Sequence, residues 1–490
     1  MSVALRTEGD LGGSVDRRAT EARFDMVVVG AGPAGEKAAA QAAYFGRRVA
    51  LVEREPDPGG ALTSSALTTK AMREAALYLT GFQRRHVYEA AIELEPQAVI
   101  DRLRARAGQV ATSMSLSVRR NLERHHVRLF TGSARLDSPG TVVVTPADGQ
   151  PRVLAADVVL LATGSRPYHP PGIPFGDPDV LDSETALDLD RPMRSLMVVG
   201  GGAVACEYAS IFLALGAEVT LIDRGSKLLP FLDAECSHMM AECFRSSGMS
   251  VIAETAVSHV GRDRAGLVVH LDGDTTLRPE KLIFAAGRVG NTENLGLEIA
   301  GVEVDARGRI RVDDHYRTGV PGVYAAGDVI GPPALASASM EQGRVAACYA
   351  LDIPFKQTVD PLTPFGVYAV PECAMVGMTE EHARDEGVPY VTGRARFADN
   401  SRAAIAGTTD GMIKLVVHRD SRRVLGVHVV GEGATELVHQ GQAVLHFEGT
   451  VDYFIHATFD VPTMSDAYKY AAYDCLQCLV AAQGTGRSSS

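Results

Sequence analysis

Gly30, Gly32 and Gly35 lie in the stretch FDMVVVGAGPAGEKAAAQAAYFGRRVALVE, residues 24–53, at a spacing that suits the handling of a pyrophosphate. Gly30 permits a tight turn, Gly32 with Pro33 and Ala34 brings bare backbone close to the phosphates, and Gly35 lets a new helix close on the preceding strand. The first N–H groups of that helix would receive the charge. Glu53 ends the next apolar run, where its carboxylate can accept hydrogen bonds from an adenosine ribose. The arrangement recurs from Leu196, with Gly200, Gly202, Ala203 and Val204 at the turn and Asp223 after the following run. Each copy can hold one dinucleotide, so the pair reads as a protein that passes electrons between two of them. Asp223 favours a free 2′-hydroxyl and so leans toward NAD, although Arg224 and Lys227 are near enough to offset its repulsion of a 2′-phosphate.

Other residues invite chemistry less directly. Thr63, Ser64, Ser65, Thr68 and Thr69 form a hydroxyl cluster before Lys70, suited either to capping a helix or to lining a substrate pocket. Asp328 follows Gly327 at the end of an apolar run, where a carboxylate can take the polyol hydroxyls of a flavin cofactor. Cys475 and Cys478 form a C-x-x-C, but a spacing of three places them on one helical face with Ala471 and Ala472, which points to packing. His456 is read as a structural or solvated histidine, and no metal site is expected.

The elements that must position these groups follow from hydrophobic periodicity. Strands are expected over 26–29, 48–52, 158–162, 196–199, 219–222, 282–286 and 323–326, and helices over 36–45 and 206–215. A loop from 58 turns into a helix through about 82, and an amphipathic stretch covers 96–126. Beyond 354 the texture changes to strands at 413–417 and 424–430 with helices at 434–447 and 464–479, a separate α+β unit. Residues 1–22 and 483–490 read as flexible tails.

With 46% apolar and 22% charged residues the chain is globular, and a net charge of −12 without a basic stripe argues against nucleic acid as a partner. No run is long enough to span a membrane, the N-terminal stretch lacks the apolar centre of a signal peptide, and the seven cysteines suit reduced thiols. A cytoplasmic protein acting on small molecules is expected.

Together the motifs GAGPAG, GGGAVACEYAS, Ala162-Thr163-Gly164, AAGRVGNTENL, YAAGDVIGPPALASASMEQG and LGVHVVGEGATELVHQGQAVL resemble the flavoprotein disulfide reductase family, and within it the transhydrogenase branch. The resemblance covers residues 23–482 and implies an α/β fold of two Rossmann-like dinucleotide-binding domains plus a C-terminal α+β dimerisation domain. The FAD-binding domain would be 23–155 with 285–353, the NAD(P)-binding domain 156–284, and the interface of a homodimer 354–482. It places FAD against Gly30, Gly32, Pro33, Ala34, Gly35, Glu53, Arg54, Gly59, Gly60, Lys70, Thr163, Gly164, Gly287, Arg288, Gly327, Asp328 and Ala336. NAD(P) falls to Gly200, Gly202, Ala203, Val204, Glu207, Asp223, Arg224 and Gly287. Lys70 and Glu207 would pair beside the flavin and serve hydride transfer.

The departures from that family bear on function. Where its members carry two cysteines four residues apart, counting back from Lys70 gives Ala61 and Ala66, with Thr68 at the proline position and one residue fewer before the lysine. The first cysteine in the chain is Cys206, so no dithiol relay can form in this segment. The C-terminal histidine that serves the departing thiolate is Val461, in Val461-Pro462-Thr463-Met464-Ser465-Asp466. The expected protein is a homodimeric FAD enzyme carrying hydride from NAD(P)H to a small-molecule acceptor that is not a disulfide, first of all a second nicotinamide nucleotide. An organic metabolite or quinone bound against Thr63, Ser64, Ser65 and, across the dimer, Val461 and Asp466 is the alternative. A flavin-loaded binding protein without turnover is the second alternative. Replacing the acid at the second site, Asp223→Ala, should raise KM for NADH more than for NADPH in paired steady-state assays, and equal effects would mean that Asp223 does not read the ribose.

Overall fold

The computed structural model describes residues 20–82, 87, 95–188 and 191–486. Most of the expected N-terminal tail, and residues 487–490 of the C-terminal one, lie outside them. The described ends are regular: the first strand begins at Thr20, and the last helix, Ala467–Gly486, takes in the first residues of the tail expected from 483.

A seven-stranded sheet forms around Thr20–Val29, whose apolar side chains are buried on both faces as a central parallel strand requires. Val49–Glu53 pairs with it on one side and Arg152–Leu161 on the other, both parallel. Arg128–Thr131 extends the sheet beyond Val49–Glu53, and Val323–Ala325 returns from far along the chain to pair with Arg152–Leu161. Because Arg152–Leu161 runs unbroken in this sheet, the division expected between 155 and 156 falls inside a strand, and the first unit reaches Leu161. The second sheet has five parallel strands in the order Ser250–Ile252, Glu218–Ile222, Ser195–Val199, Lys281–Phe284 and Val180–Asp182.

In each of these sheets the strand preceding the glycine turn has neighbours reached by connections in opposite directions. Such a switch point opens a crevice beyond the carboxyl ends of the strands. The glycines answer the crowding there. Gly30 has φ +102° and a Cβ on it would run into the carbonyl oxygen of Ala162, while Gly200 has φ +124° and its Cβ would sit 2.7 Å from that of Ala285.

A ribbon of two antiparallel segments, Ser165–Pro167 and Arg288–Gly290, joins the two units. The C-terminal part is an antiparallel sheet of five strands, Phe365–Val367, Cys373–Gly377, Val424–Val430, Met412–His418 and Tyr390–Arg396, covered by the helices Ala434–His446 and Ala467–Gly486. It docks on the second unit through buried charge. Lys414 is 1% exposed and its ammonium lies 2.8 Å from Asp233, 3.0 Å from Glu235 and 2.7 Å from Glu380. Burial alone would favour the neutral amine, but these carboxylates outweigh it and hold the Lys414 pKa above its ordinary value. Among the described residues no helix is long and apolar enough to cross a membrane.

The helix Ala336–Ala350 packs on Pro33–Tyr44 so closely that a Cβ on Gly343 would collide with the backbone carbonyl of Ala34. Gly108, inside the helix Pro96–Arg124, has no neighbour within 4 Å of such an atom. Gly343→Ala should therefore lower unfolding stability by about 2 kcal/mol or more, while Gly108→Ala should raise it by somewhat under about 1 kcal/mol. Denaturant melts of the two variants test this, and equal shifts would contradict the packing.

Candidate functional site

A cleft of about 1640 Å³ runs from the first switch point past Ala203 and Val204 to the C-terminal sheet. Gly30, Gly32, Pro33, Ala34, Glu53, Arg54, Gly60, Thr163, Gly164, Arg288, Gly327, Asp328 and Ala336 all line it, as do Lys70, Ala203, Val204 and Glu207. Gly35 is buried beneath, where a Cβ would strike the carbonyl of Gly30. Gly59, Gly200, Gly202, Asp223, Arg224 and Gly287 lie off this cleft. The Gly287 carbonyl accepts the Tyr168 N–H at 3.0 Å, and a Cβ on Gly59 would meet Thr63 at 2.5 Å.

The chain's own groups fit dinucleotides at both turns. Gly32 is the N-cap of Pro33–Tyr44 and Gly202 that of Ala203–Ala214, and neither helix end has a side-chain cap, so their first N–H groups are left for a ligand. A Cβ on Gly60 would come within 2.9 Å of the Gly32 Cα, whereas Gly32 itself has room for one and Gly202 opens onto free space. Glu53 accepts the Ala31 N–H at 2.7 Å and the Glu55 N–H at 3.0 Å, which aims the carboxylate across the turn with lone pairs to spare. Asp223 is held likewise by the Gly225 N–H at 3.0 Å and stands against Gly201. Lys227 donates to the Leu232 carbonyl at 3.1 Å.

Lys70 and Glu207 meet although 137 residues separate them, with Nζ 2.6 Å from Oε2. The helix Ala66–Thr80 brings the lysine and the second-turn helix the glutamate. The carboxylate is nearly buried, and its other oxygen accepts the Tyr368 N–H at 2.9 Å. The Tyr368 ring stands 5.2 Å from the ammonium, within reach of a cation–π contact. Residues 368–370 are pinned further: buried Arg73 donates to the Ala369 carbonyl at 3.0 Å and pairs with Glu372 at 3.2 Å, and the Val370 N–H donates to Ser210 Oγ at 3.1 Å. None of Tyr368, Arg73, Glu372 and Ser210 was legible as a site residue, because nothing local in the sequence marks which distant segment a side chain will meet.

The hydroxyl segment divides. Ala61–Ser64 is one helical turn, Ser65 breaks it, and Ala66–Thr80 follows. Thr63, Ser64, Ser65 and Thr69 line the cleft beside Ala61 and Ala66, while Thr63 and Thr69 also bond back to the carbonyls of Gly60 and Ser65. Neither helix takes a side-chain cap, so helix capping is not the role of this cluster. Val461 is 61% exposed, and neither it nor Asp466 lines the cleft within one chain. His456 ends the short helix Asp452–His456, also off the cleft.

No cysteine lines the cleft among the described residues. All seven thiols are free. Burial pushes the Cys206, Cys236 and Cys373 thiols well above the ordinary range and that of Cys243 up to about 11, so they resist forming thiolate. Cys475 is buried with Ala471 and Ala472, whereas Cys478 is exposed, so the two cysteines do not share the packed face expected of them. No group of three or more potential metal ligands gathers among the described residues.

The chain matches the family described as Pyridine nucleotide-disulphide oxidoreductase over residues 24–343, and the dimerisation domain of the same family over 363–472. It is 40% identical over 455 residues to a soluble pyridine nucleotide transhydrogenase of Mycobacterium bovis, covering 92% of this chain and 97% of that one. The protein of that description from Pseudomonas fluorescens is 40% identical over 460 residues, with 93% and 99% covered. Among solved structures, LpdA from Mycobacterium tuberculosis superposes with a TM-score of 0.83 at 27% identity, covering 92% of this chain and 99% of that one. The HOCl-induced flavoprotein disulfide reductase RclA of Escherichia coli gives a TM-score of 0.82 at 24% identity over 92% and 99%, a likeness of fold.

Removing either partner of the Lys70–Glu207 pair leaves a half-buried charge unmatched, which costs more than removing both. Lys70→Met and Glu207→Gln should each slow reduction of the bound chromophore by NAD(P)H at least about tenfold, a barrier rise of about 1.4 kcal/mol. The double variant should lose less than the product of the two. Stopped-flow rates that multiply would contradict the coupling.

Proposed function

The chain belongs to the pyridine nucleotide-disulphide oxidoreductase family, and on that footing we propose that it carries hydride from NAD(P)H through FAD to a second nicotinamide nucleotide. The observation that carries this reading is a cleft that runs from the first glycine turn to a lysine–glutamate pair on the helix of the second, with both turns uncapped and no thiol among the described residues that line it. Gly30, Gly32, Gly60, Glu53 and Asp328 would hold FAD, and Gly202 with Asp223 would hold NAD(P). Bound there, FAD supplies a two-electron store that a nicotinamide can fill and another can empty.

The rest is done by this chain's own groups. Lys70 offers a positive charge fixed by Glu207 and by the aromatic face of Tyr368, so no reorganisation is needed when negative charge develops beside it. The Tyr368 N–H keeps the Glu207 carboxylate turned toward the lysine. The clamp of Arg73, Ser210 and Glu372 keeps the segment from relaxing into the cleft. Ala61 and Ala66 offer no second electron store, so a disulfide acceptor has nothing to exchange with.

A homodimer is part of the proposal, supported by the dimerisation-domain match and by an exposed apolar face on Val461, Tyr470, Tyr473 and Val480. We assign FAD to the unit ending near Leu161 with 285–353, NAD(P) to the second sheet, and the interface to 354–482. An organic metabolite or quinone remains the second acceptor reading, favoured by Thr63, Ser64 and Ser65 facing the same cleft. A flavin-loaded protein without turnover would have no use for the pinned ion pair.

Steady-state transfer from NADPH to the thio analogue of NAD+ tests the proposal. Parallel double-reciprocal plots are expected, since one nucleotide leaves before the next reacts, with no turnover of dihydrolipoamide or glutathione. An FAD-loaded protein that transfers nothing between nucleotides but reduces a quinone would move the assignment to the second reading.

A further inference from the structure

We infer that Ser165 is a positioning residue that couples the two dinucleotide sites, an inference that rests on reading Asp328 as a ligand of FAD and the second switch point as the NAD(P) site. Ser165 begins the ribbon that links the two parallel sheets. Its hydroxyl works in two directions, donating to Asp328 Oδ2 at 3.0 Å and accepting from Arg288 Nε at 2.7 Å. A guanidinium has no acceptor and can only donate to the hydroxyl, which leaves the single hydroxyl proton for the carboxylate. The bonds then run one way, from guanidinium to hydroxyl to carboxylate, and the first strengthens the second by polarising the O–H.

Arg288 stands at the other end of this chain of bonds. Its Nη2 donates to the Ser165 carbonyl at 2.7 Å and reaches Glu184 at 3.3 Å, a longer contact to a half-exposed carboxylate. Arg288 and Glu184 share the cleft wall with Ala203 and Val204, at the start of the second-turn helix. A dinucleotide entering there brings pyrophosphate and ribose oxygens that compete for the guanidinium donors. Drawing Arg288 toward them leaves the Ser165 hydroxyl unpolarised and loosens its hold on Asp328. By linkage the effect is mutual, so FAD would weaken NAD+ binding by the same factor.

The structure contains its own control. Asp328 Oδ1 accepts from Ser339 Oγ at 3.2 Å, and Ser339 belongs to the helix Ala336–Ala350 packed on the first unit. Two hydroxyls thus hold one carboxylate, and Ser165 is the one bonded to the ribbon arginine.

The test is equilibrium release of FAD from the purified holoprotein, read as FAD fluorescence on dilution, with and without saturating NAD+, which moves no hydride. Ser165→Ala and Ser339→Ala should both raise the FAD Kd. In the wild type, Ser165→Thr and Ser339→Ala, NAD+ should raise that Kd a further fivefold or more, about the lower end of site-to-site coupling. In Ser165→Ala, and in Arg288→Gln as a second route should the first fail to fold, the NAD+ effect should vanish. A Ser165→Ala protein that keeps the NAD+ effect, or a wild type that binds FAD without one, overturns the inference alone. A wild type that binds no FAD overturns the reading beneath it.

Discussion

An ammonium and a carboxylate held 2.6 Å apart, with the carboxylate almost out of water, constrain everything around them. Each charge offsets much of the cost of holding the other there. The pair forms where the helix Ala66–Thr80 meets the helix that starts at the second glycine turn, and the backbone at Tyr368 must arrive from the C-terminal part to satisfy the remaining carboxylate oxygen. Three regions of chain are thereby committed to one point. The Arg73–Glu372 pair repeats the device one helical turn away, so the segment 368–370 is fixed on two sides by charge and on a third by Ser210.

The glycine turns supply a second constraint, of space. At both switch points the strand end and the neighbouring chain approach so closely that a side chain on Gly30 or Gly200 would occupy the carbonyl of Ala162 or Ala285. That crowding lies behind the turns. In front of them Gly32 and Gly202 leave open backbone at uncapped helix ends, where an anionic ligand supplies what the protein withholds. Stability behind and vacancy in front explain why the same short motif serves twice.

How much of this was legible in the sequence follows from how local each cause is. The strands at 26–29 and 196–199 and the acids after them follow from apolar runs and turn chemistry, and are found with the helices beginning three residues earlier than expected, at Pro33 and Ala203. Proline at the first helical position and small residues after it give no amphipathic signal, which is why those first turns were missed. In the C-terminal sheet the two long strands were visible, whereas Phe365–Val367, Cys373–Gly377 and Tyr390–Arg396 were not, being short or rich in glycine and charge and made strands by their partners. Lys70 and Glu207 came from family resemblance alone. Arg73, Ser165, Ser210 and Tyr368 depend on meetings across more than a hundred residues that no local pattern encodes.

The central claim is that electrons are stored in this cleft on one cofactor and on no thiol. Anaerobic titration of the purified protein with NADH addresses it directly. The account predicts that the yellow absorbance bleaches fully with one equivalent and that no long-wavelength band between a thiolate and the chromophore develops. A titration that needs two equivalents and passes through such a band would contradict it.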